Sequence, residues 1–97
     1  MAARTFEWNP TKAAANLTRH GVSFEEAASV LEDPLSLTFR DPDHSVEEER
    51  FLTFGHDVSG RILVMAHTDR GEAVRLISAR RATRAERRFY EEGKSKG

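Results

Sequence analysis

Seven arginines stand between Arg70 and Arg88 (70, 75, 80, 81, 84, 87 and 88), against only two glutamates. A guanidinium meets phosphate through two parallel N–H donors, whereas an ammonium offers a point charge. That stretch is composed as an anion receptor. Arg80 and Arg81 fall where a strand should give way to a capped helix. A helix start adds partial positive charge and free N–H groups, so a phosphate can be held there. Arg75, Ser78, Arg80 and Arg81 carry the strongest signal. Arg61, Arg81, Arg84 and the Tyr90 hydroxyl are further phosphate-ligand candidates. By simple alternation, Ser78 and Arg80 share one strand face with Val74 and Leu76, and Arg75 shares the other with Ala73, Ile77 and Ala79.

Acid–base chemistry would fall to His20 and Glu48. His20 ends a helix, where the dipole favours its charged form, and histidine exchanges protons near neutral pH. Glu48 and Arg50 are two residues apart and share a face if the strand begins that early. Such a pair is either a base held ionised or an ordinary salt bridge. His67 alternates with Leu63 and Met65 and reads as a hydrogen-bonded core residue; His44 and His56 receive no role. Scattered histidines without cysteine or close ligand spacing give no metal motif, and no cofactor is expected. The bland reading of the arginines is a solvated surface paired with Glu48, Glu49 or Glu86.

The elements that must position these groups follow from caps and periodicity. Thr5 to Trp8 reads as a first strand, with Phe6 and Trp8 in or beside the core. Asn9 and Pro10 start a helix that Gly21 ends near His20. Ser23 and Glu26 form a capping box for a second helix, whose stripe is Phe24, Ala27, Ala28 and Leu31 and whose stop is Asp33-Pro34. Leu35 to Phe39 alternates as a strand, and Asp41 to Ser45 is a loop. Arg50 to His56, Arg61 to Thr68 and Glu72 to Arg80 form a meander with short turns. Thr83 and Glu86 then cap a last helix to about Glu92, with residues 93–97 as a frayed tail. Helices segregated from a run of strands imply an α+β fold, with helices packed on an antiparallel sheet in a single domain over 1–97.

Composition sets outer limits. The chain has 97 residues, a formal net charge of −1 and no cysteine. The near-neutral total hides an asymmetry: nine acids and one base lie between Glu25 and Glu49. The absence of cysteine suits a reducing, cytoplasmic setting, and no run has the length or apolarity of a signal peptide or a membrane span.

An ordered series of segments resembles the BrnT family. The series is Phe6-Glu7-Trp8-Asn9 with Lys12 and Asn16; His20-Gly21-Val22-Ser23-Phe24-Glu25-Glu26-Ala27; Asp33-Pro34; His44-Ser45; Glu48-Glu49-Arg50-Phe51 with Gly55; Gly60-Arg61; His67-Thr68; Arg75-Leu76-Ile77-Ser78-Ala79-Arg80; and Glu86-Arg87 with Tyr90. Asn9 departs from the aspartate the family often carries.

The resemblance implies a RelE-like fold and an endoribonuclease toxin that cuts RNA and arrests growth. It also implies neutralisation by a BrnA-like antitoxin, contact with operator DNA only through that antitoxin, and a toxin–antitoxin heterotetramer. Metal-independent RNA cleavage needs a base for the 2′-hydroxyl, cations for the charge gained at phosphorus, and an acid for the leaving 5′-oxygen. On that reading His20, Glu48, Arg50, Arg75, Ser78 and Arg80 are the catalytic candidates. Arg61, Arg81, Arg84 and Tyr90 are the RNA-binding ones, and the arginines should converge on one pocket. Two other classes compete: a non-catalytic nucleic-acid-binding module and a pure protein-interaction domain. Phe51 and Phe54 point to opposite faces of one strand, which disfavours an aromatic RNA-stacking sheet.

Overall fold

The computed structural model describes residues 5–41, 43 and 48–96; His44 and Ser45 lie outside them. The elements, in chain order, are β1 (Thr5–Glu7), α1 (Pro10–His20), α2 (Phe24–Ala28) with a 3₁₀ turn (Ser29–Glu32), β2 (Leu37–Arg40), β3 (Phe51–His56), β4 (Ile62–Arg70), β5 (Ala73–Arg81) and α3 (Arg84–Lys96).

Local chemistry explains the helix ends. The Asn9 side chain accepts from the Thr11 and Lys12 amides at 2.9 and 3.1 Å, ahead of Pro10 in the first turn. Gly21, at φ +70°, closes α1 in the left-handed region and returns its N–H to the Leu17 carbonyl. Ser23 and Glu26 exchange the two bonds of a capping box, each 3.0 Å. Thr83 and Glu86 do the same for α3. That helix runs to Lys96, past the expected stop at Glu92, so residues 93–96 are helical rather than frayed.

The strands form one sheet in the order β1-β5-β4-β3-β2. The β3–β4 and β4–β5 pairs are antiparallel, as short turns require, and β2 pairs antiparallel with β3 across the longer connection 41–50. β1 corrects the expectation of an antiparallel sheet: it lies parallel to β5, with Phe6 opposite Val74. About two thirds of the chain separates these two strands, so no hairpin constrains their direction.

Helices cover both faces of this mixed sheet. On one face, Val22, Phe24, Ala27 and Val30 pack with Leu63, Met65, Val74, Leu76 and Ala79, and Phe6 and Trp8 join their margin. On the other, Tyr90 of α3 packs with Phe54 and Val64. The 3₁₀ turn rests directly on β3, because a Cβ on Gly55 would stand 3.0 Å from Val30 Cγ1 and 3.1 Å from Ser36 Cβ. His67 is buried as expected, held by Thr53 at 2.8 Å and Asp69 at 2.9 Å.

β5 departs from simple alternation. Ala66 pairs with Ser78, but His67 pairs with Leu76, so Ile77 is an extra residue. The bulge reverses the inside–outside phase. Val74, Leu76 and Ala79 all enter the core beneath α1 and α2. Arg75, Ser78 and Arg80 therefore share the opposite face, which corrects the grouping expected from alternation. Val64, the register partner of Arg80, belongs to the α3-side core.

One buried side chain secures this strand from the α1 side. Asn16 Nδ2 donates to the Ala79 carbonyl at 2.9 Å and to the Val22 carbonyl at 3.0 Å, while Asn16 Oδ1 accepts from the Ala79 amide at 3.1 Å. Replacing Asn16 by Ala strands these backbone groups. Equilibrium urea unfolding should show a loss of about 2–4 kcal/mol. Asn16→Asp should be no better at neutral pH, since a carboxylate cannot donate to either carbonyl. A loss below about 1 kcal/mol, no more than an ordinary hydrogen bond, would show that the clamp is dispensable.

Candidate nucleic-acid interface

The arginine-rich segment folds as β5, a two-residue turn and the start of α3. Arg80 meets Glu86 through both carboxylate oxygens: Nη1–Oε1 is 2.7 Å and Nη2–Oε2 is 2.9 Å. Glu86 Oε1 also accepts from the Thr83 amide at 2.9 Å. The pairing with Arg80, aided by that amide and opposed by burial, holds the Glu86 carboxyl down at about 2. Arg80 Nη1 donates once more, to the Arg81 carbonyl at 3.3 Å. A guanidinium has five N–H donors, and these contacts use three. Nε and the second hydrogen of Nη2 remain, forming the side edge of the fork. Ser78 is exposed on the same face, and Arg75 is half-buried there with Glu7 at 4.0 Å.

A cleft of about 520 Å³ opens nearby, lined by Gly60, Arg61, Ile62, Arg81, Ala82 and Arg87. Arg61 is fixed in its wall. Asp57 Oδ2 accepts from Nε and Nη2 at 3.0 and 2.8 Å, Glu26 lies 3.1 Å from Nη2, and the Gly21 carbonyl accepts from Nη1 at 3.2 Å. The bonds from Asp57 keep the Arg61 guanidinium protonated, and its hydrogen bonds overcome burial to lower the Asp57 carboxyl. Arg81 and Arg87 are exposed, and neither has a carboxylate partner among the described residues.

The expected convergence is therefore partial. Arg61, Arg81 and Arg87 share the cleft, while Arg80 stands on the α3 side with Ser78 and Arg75. Arg70 pairs with Glu48 at 3.4 Å. Glu48 precedes β3, which starts only at Phe51, so Glu48 and Arg50 do not share a strand face. Arg84 is exposed at the start of α3, and His20 is half-buried at the end of α1, one residue before the carbonyl that Arg61 grips. Tyr90 is the clearest displacement. It is fully buried, and its hydroxyl donates to Asp33 Oδ2 at 2.6 Å, so it is not offered to a surface phosphate.

The family model described as "Ribonuclease toxin, BrnT, of type II toxin-antitoxin system" matches residues 8–86. The chain belongs to the BrnT family. It is a ribonuclease toxin of a type II toxin–antitoxin system by that membership, and such a system includes an antitoxin partner. Among solved structures, the crystal structure of the ribonuclease toxin BrnT from Brucella abortus matches with a TM-score of 0.62 and 20% identity, over 84% of this chain and 100% of that one. At that identity the likeness shows a shared fold. No sequence match was found among curated proteins.

Three features of this BrnT chain escaped the reading of its sequence. Asn16 lies inside while its apolar neighbour Leu17 is 50% exposed. The signal was available: Asn16 stands three residues after Ala13 and four before His20, on the buried stripe of α1. Arg87 reaches the cleft through helical spacing from the cap. The third is the set Asp33, His56 and Tyr90, which no local pattern links. Asp33 Oδ2 accepts from the His56 amide at 2.8 Å and from the Tyr90 hydroxyl, and Oδ1 accepts from the Leu35 amide at 2.9 Å. Among the described residues, no group of three metal-ligating side chains is assembled, and no helix is long and apolar enough to cross a membrane.

Burial opposes ionisation of Asp33, but its hydrogen bonds win, and the carboxyl falls from 3.8 to about 2. A carboxyl lowered on folding adds stability above its unfolded value and loses it as pH drops through the folded one. Unfolding free energy should thus decline between about pH 4.5 and pH 2, with Glu86 contributing in the same window. Asp33→Asn should remove about 2 kcal/mol of that pH dependence. Chemical unfolding followed across this range tests it; an unchanged slope in Asp33→Asn would contradict the assignment.

Proposed function

We propose that this BrnT chain is an active, metal-independent endoribonuclease whose scissile phosphate is held by the unused edge of Arg80. One observation carries the reading: Glu86 fixes the Arg80 guanidinium yet leaves Nε–H and one Nη2–H for an anion. Preorganised donors of this kind act on charge as it develops and need no reorientation during the reaction. Ser78 and Arg75, on the same strand face, extend the anion-binding strip. Attack by a ribose 2′-oxygen on phosphorus displaces the 5′-oxygen, so one group must accept a proton and another must donate one. Glu48 is engaged by Arg70, whereas His20 has no carboxylate partner among the described residues. We assign the proton acceptor to His20, which ends α1 next to the carbonyl held by Arg61 and would reach the substrate round the end of β5. Arg50 precedes Phe51, whose row of the sheet runs to Leu76 rather than to Arg80, so it lies away from this phosphate.

The same reading makes the fold RelE-like and places the toxin in the cytoplasm, where RNA cleavage arrests growth. A BrnA-like antitoxin would neutralise the toxin by covering its basic surface, assemble with it as a heterotetramer, and alone contact operator DNA. The toxin–antitoxin complex should then be inactive on RNA until the partner is removed.

The test is RNA cleavage by toxin freed of antitoxin. Arg80→Lys keeps the charge but loses the fork, and should lower the cleavage rate about 10²–10³-fold. Antitoxin binding should persist, which separates catalysis from a pure interaction role. Wild-type cleavage by Arg80→Lys would remove the proposed mechanism. His20→Ala should lower the cleavage rate about 10²–10⁴-fold with antitoxin binding intact; an unchanged rate would move the base elsewhere.

A further inference from the structure

We infer that the cleft between Arg81 and Arg87 is a second phosphate subsite, holding the backbone of the RNA strand away from the bond that is cut. This inference rests on the ribonuclease reading and deepens it by naming where the rest of the substrate lies. Its first support is geometric. Arg81 from the end of β5 and Arg87 from the first turns of α3 line one cleft of about 520 Å³, wide enough for a phosphate with its flanking sugars. Arg61 forms a third wall, but Asp57 and Glu26 more than neutralise it. Attraction for an anion therefore comes from Arg81 and Arg87.

The second support is electrostatic. Neither Arg81 nor Arg87 has a carboxylate partner among the described residues, so two like charges face a shared space with nothing between them. Arg84, Arg87 and Arg88 also gather toward the N-terminal end of α3, where the first-turn acid Glu86 is already engaged by Arg80 and the Thr83 cap. Cations are unfavourable at the positive end of a helix dipole, and a bound anion offsets that cost as well as the repulsion between Arg81 and Arg87. Arg80 and Arg81 are consecutive at the end of β5, so their side chains leave on opposite faces, and a strand passing round that end runs from one site to the other. A single-stranded polyanion can meet both, which a lone inorganic phosphate cannot.

The experiment uses a 2′-deoxy oligonucleotide, which lacks the attacking hydroxyl and binds without being cut. Its affinity for antitoxin-free toxin is measured by fluorescence anisotropy at several salt concentrations. Each phosphate neutralised on a single strand contributes about 0.7 to the slope of log K against log salt. The double variant Arg81→Gln/Arg87→Gln should reduce that slope by about 1.4 and weaken binding at low salt at least tenfold. Arg40→Gln removes a charge on β2, at the opposite sheet edge, and should leave the slope unchanged. Equal slopes for the double variant and wild type would overturn the inference, as would an equal drop in Arg40→Gln. Lost antitoxin binding with intact oligonucleotide binding would also overturn it, since the cleft would then serve a protein partner. The Arg80→Lys rate test stands apart from these readouts, so the subsite and the catalytic assignment can fail separately.

Discussion

The Asn16 side chain does for β5 what a neighbouring strand would otherwise do. β1 pairs with β5 from Ala73 to Arg75, so among the described residues the far half of that strand edge has no pairing strand. An asparagine amide carries a donor and an acceptor in the same plane, as a peptide group does. Placed against Ala79, it satisfies both backbone groups of one residue, and its second bond, to Val22, ties in the turn between α1 and α2. An apolar residue of equal size would fill the space but leave Ala79 unpaired. Because Ala79 is flanked by Ser78 and Arg80, fixing its backbone fixes the strip of side chains on the opposite face. The interior of the sheet thereby sets the geometry of its exterior.

The bulge at Ile77 works with that clamp. Without it, Ala79 would leave the core, and Arg80 would be driven beneath α1 and α2, into the apolar cluster of Val22, Phe24 and Leu63. With it, one strand presents Val74, Leu76 and Ala79 inward and Arg75, Ser78 and Arg80 outward. The acidic segment is put to a related structural use. Glu26 caps α2 and holds Arg61, and Asp33 joins the segment before β2 to β3 and α3. Acids that looked in sequence like a counterweight to the arginines act in part as internal struts. That use leaves Arg81 and Arg87 unneutralised even though the chain as a whole is close to neutral.

Features governed by near neighbours were legible in the sequence. The caps at Asn9, Ser23 and Thr83 were readable because each bond spans two or three residues, and the meander was readable because its turns are short. The parallel direction of β1 was hidden, since it depends on packing across about two thirds of the chain. The bulge was hidden because it appears only when β4 and β5 are placed in register. Alternation alone therefore grouped Ser78 and Arg80 with Val74 and Leu76, and Arg75 with Ala79. At the candidate site, residue types pointed to Arg80 and Arg81. The sequence could not show that Glu86 takes one edge of Arg80, that Arg87 shares a cleft with Arg81, or that Tyr90 is spent on Asp33. Each of those facts is a contact between elements.

The Arg80–Glu86 pair bears on whether a paired arginine can serve an RNA phosphate at all. A carboxylate at 2.7 Å cancels much of the cation's long-range field. The pair is partly buried, and it carries the stability that Glu86 loses on acidification. It also has a geometric effect. Arginine carries about 2 kcal/mol of rotamer entropy, which an unrestrained side chain surrenders on binding a ligand. Glu86, itself held by the cap of α3, has already taken most of that freedom from Arg80. A phosphate arriving at the free edge meets directed donors and pays little further ordering cost. Long-range attraction can then come from neighbouring arginines that lack such partners. Orientation by the paired residue and attraction by the unpaired ones are different tasks, and β5 assigns them to adjacent positions.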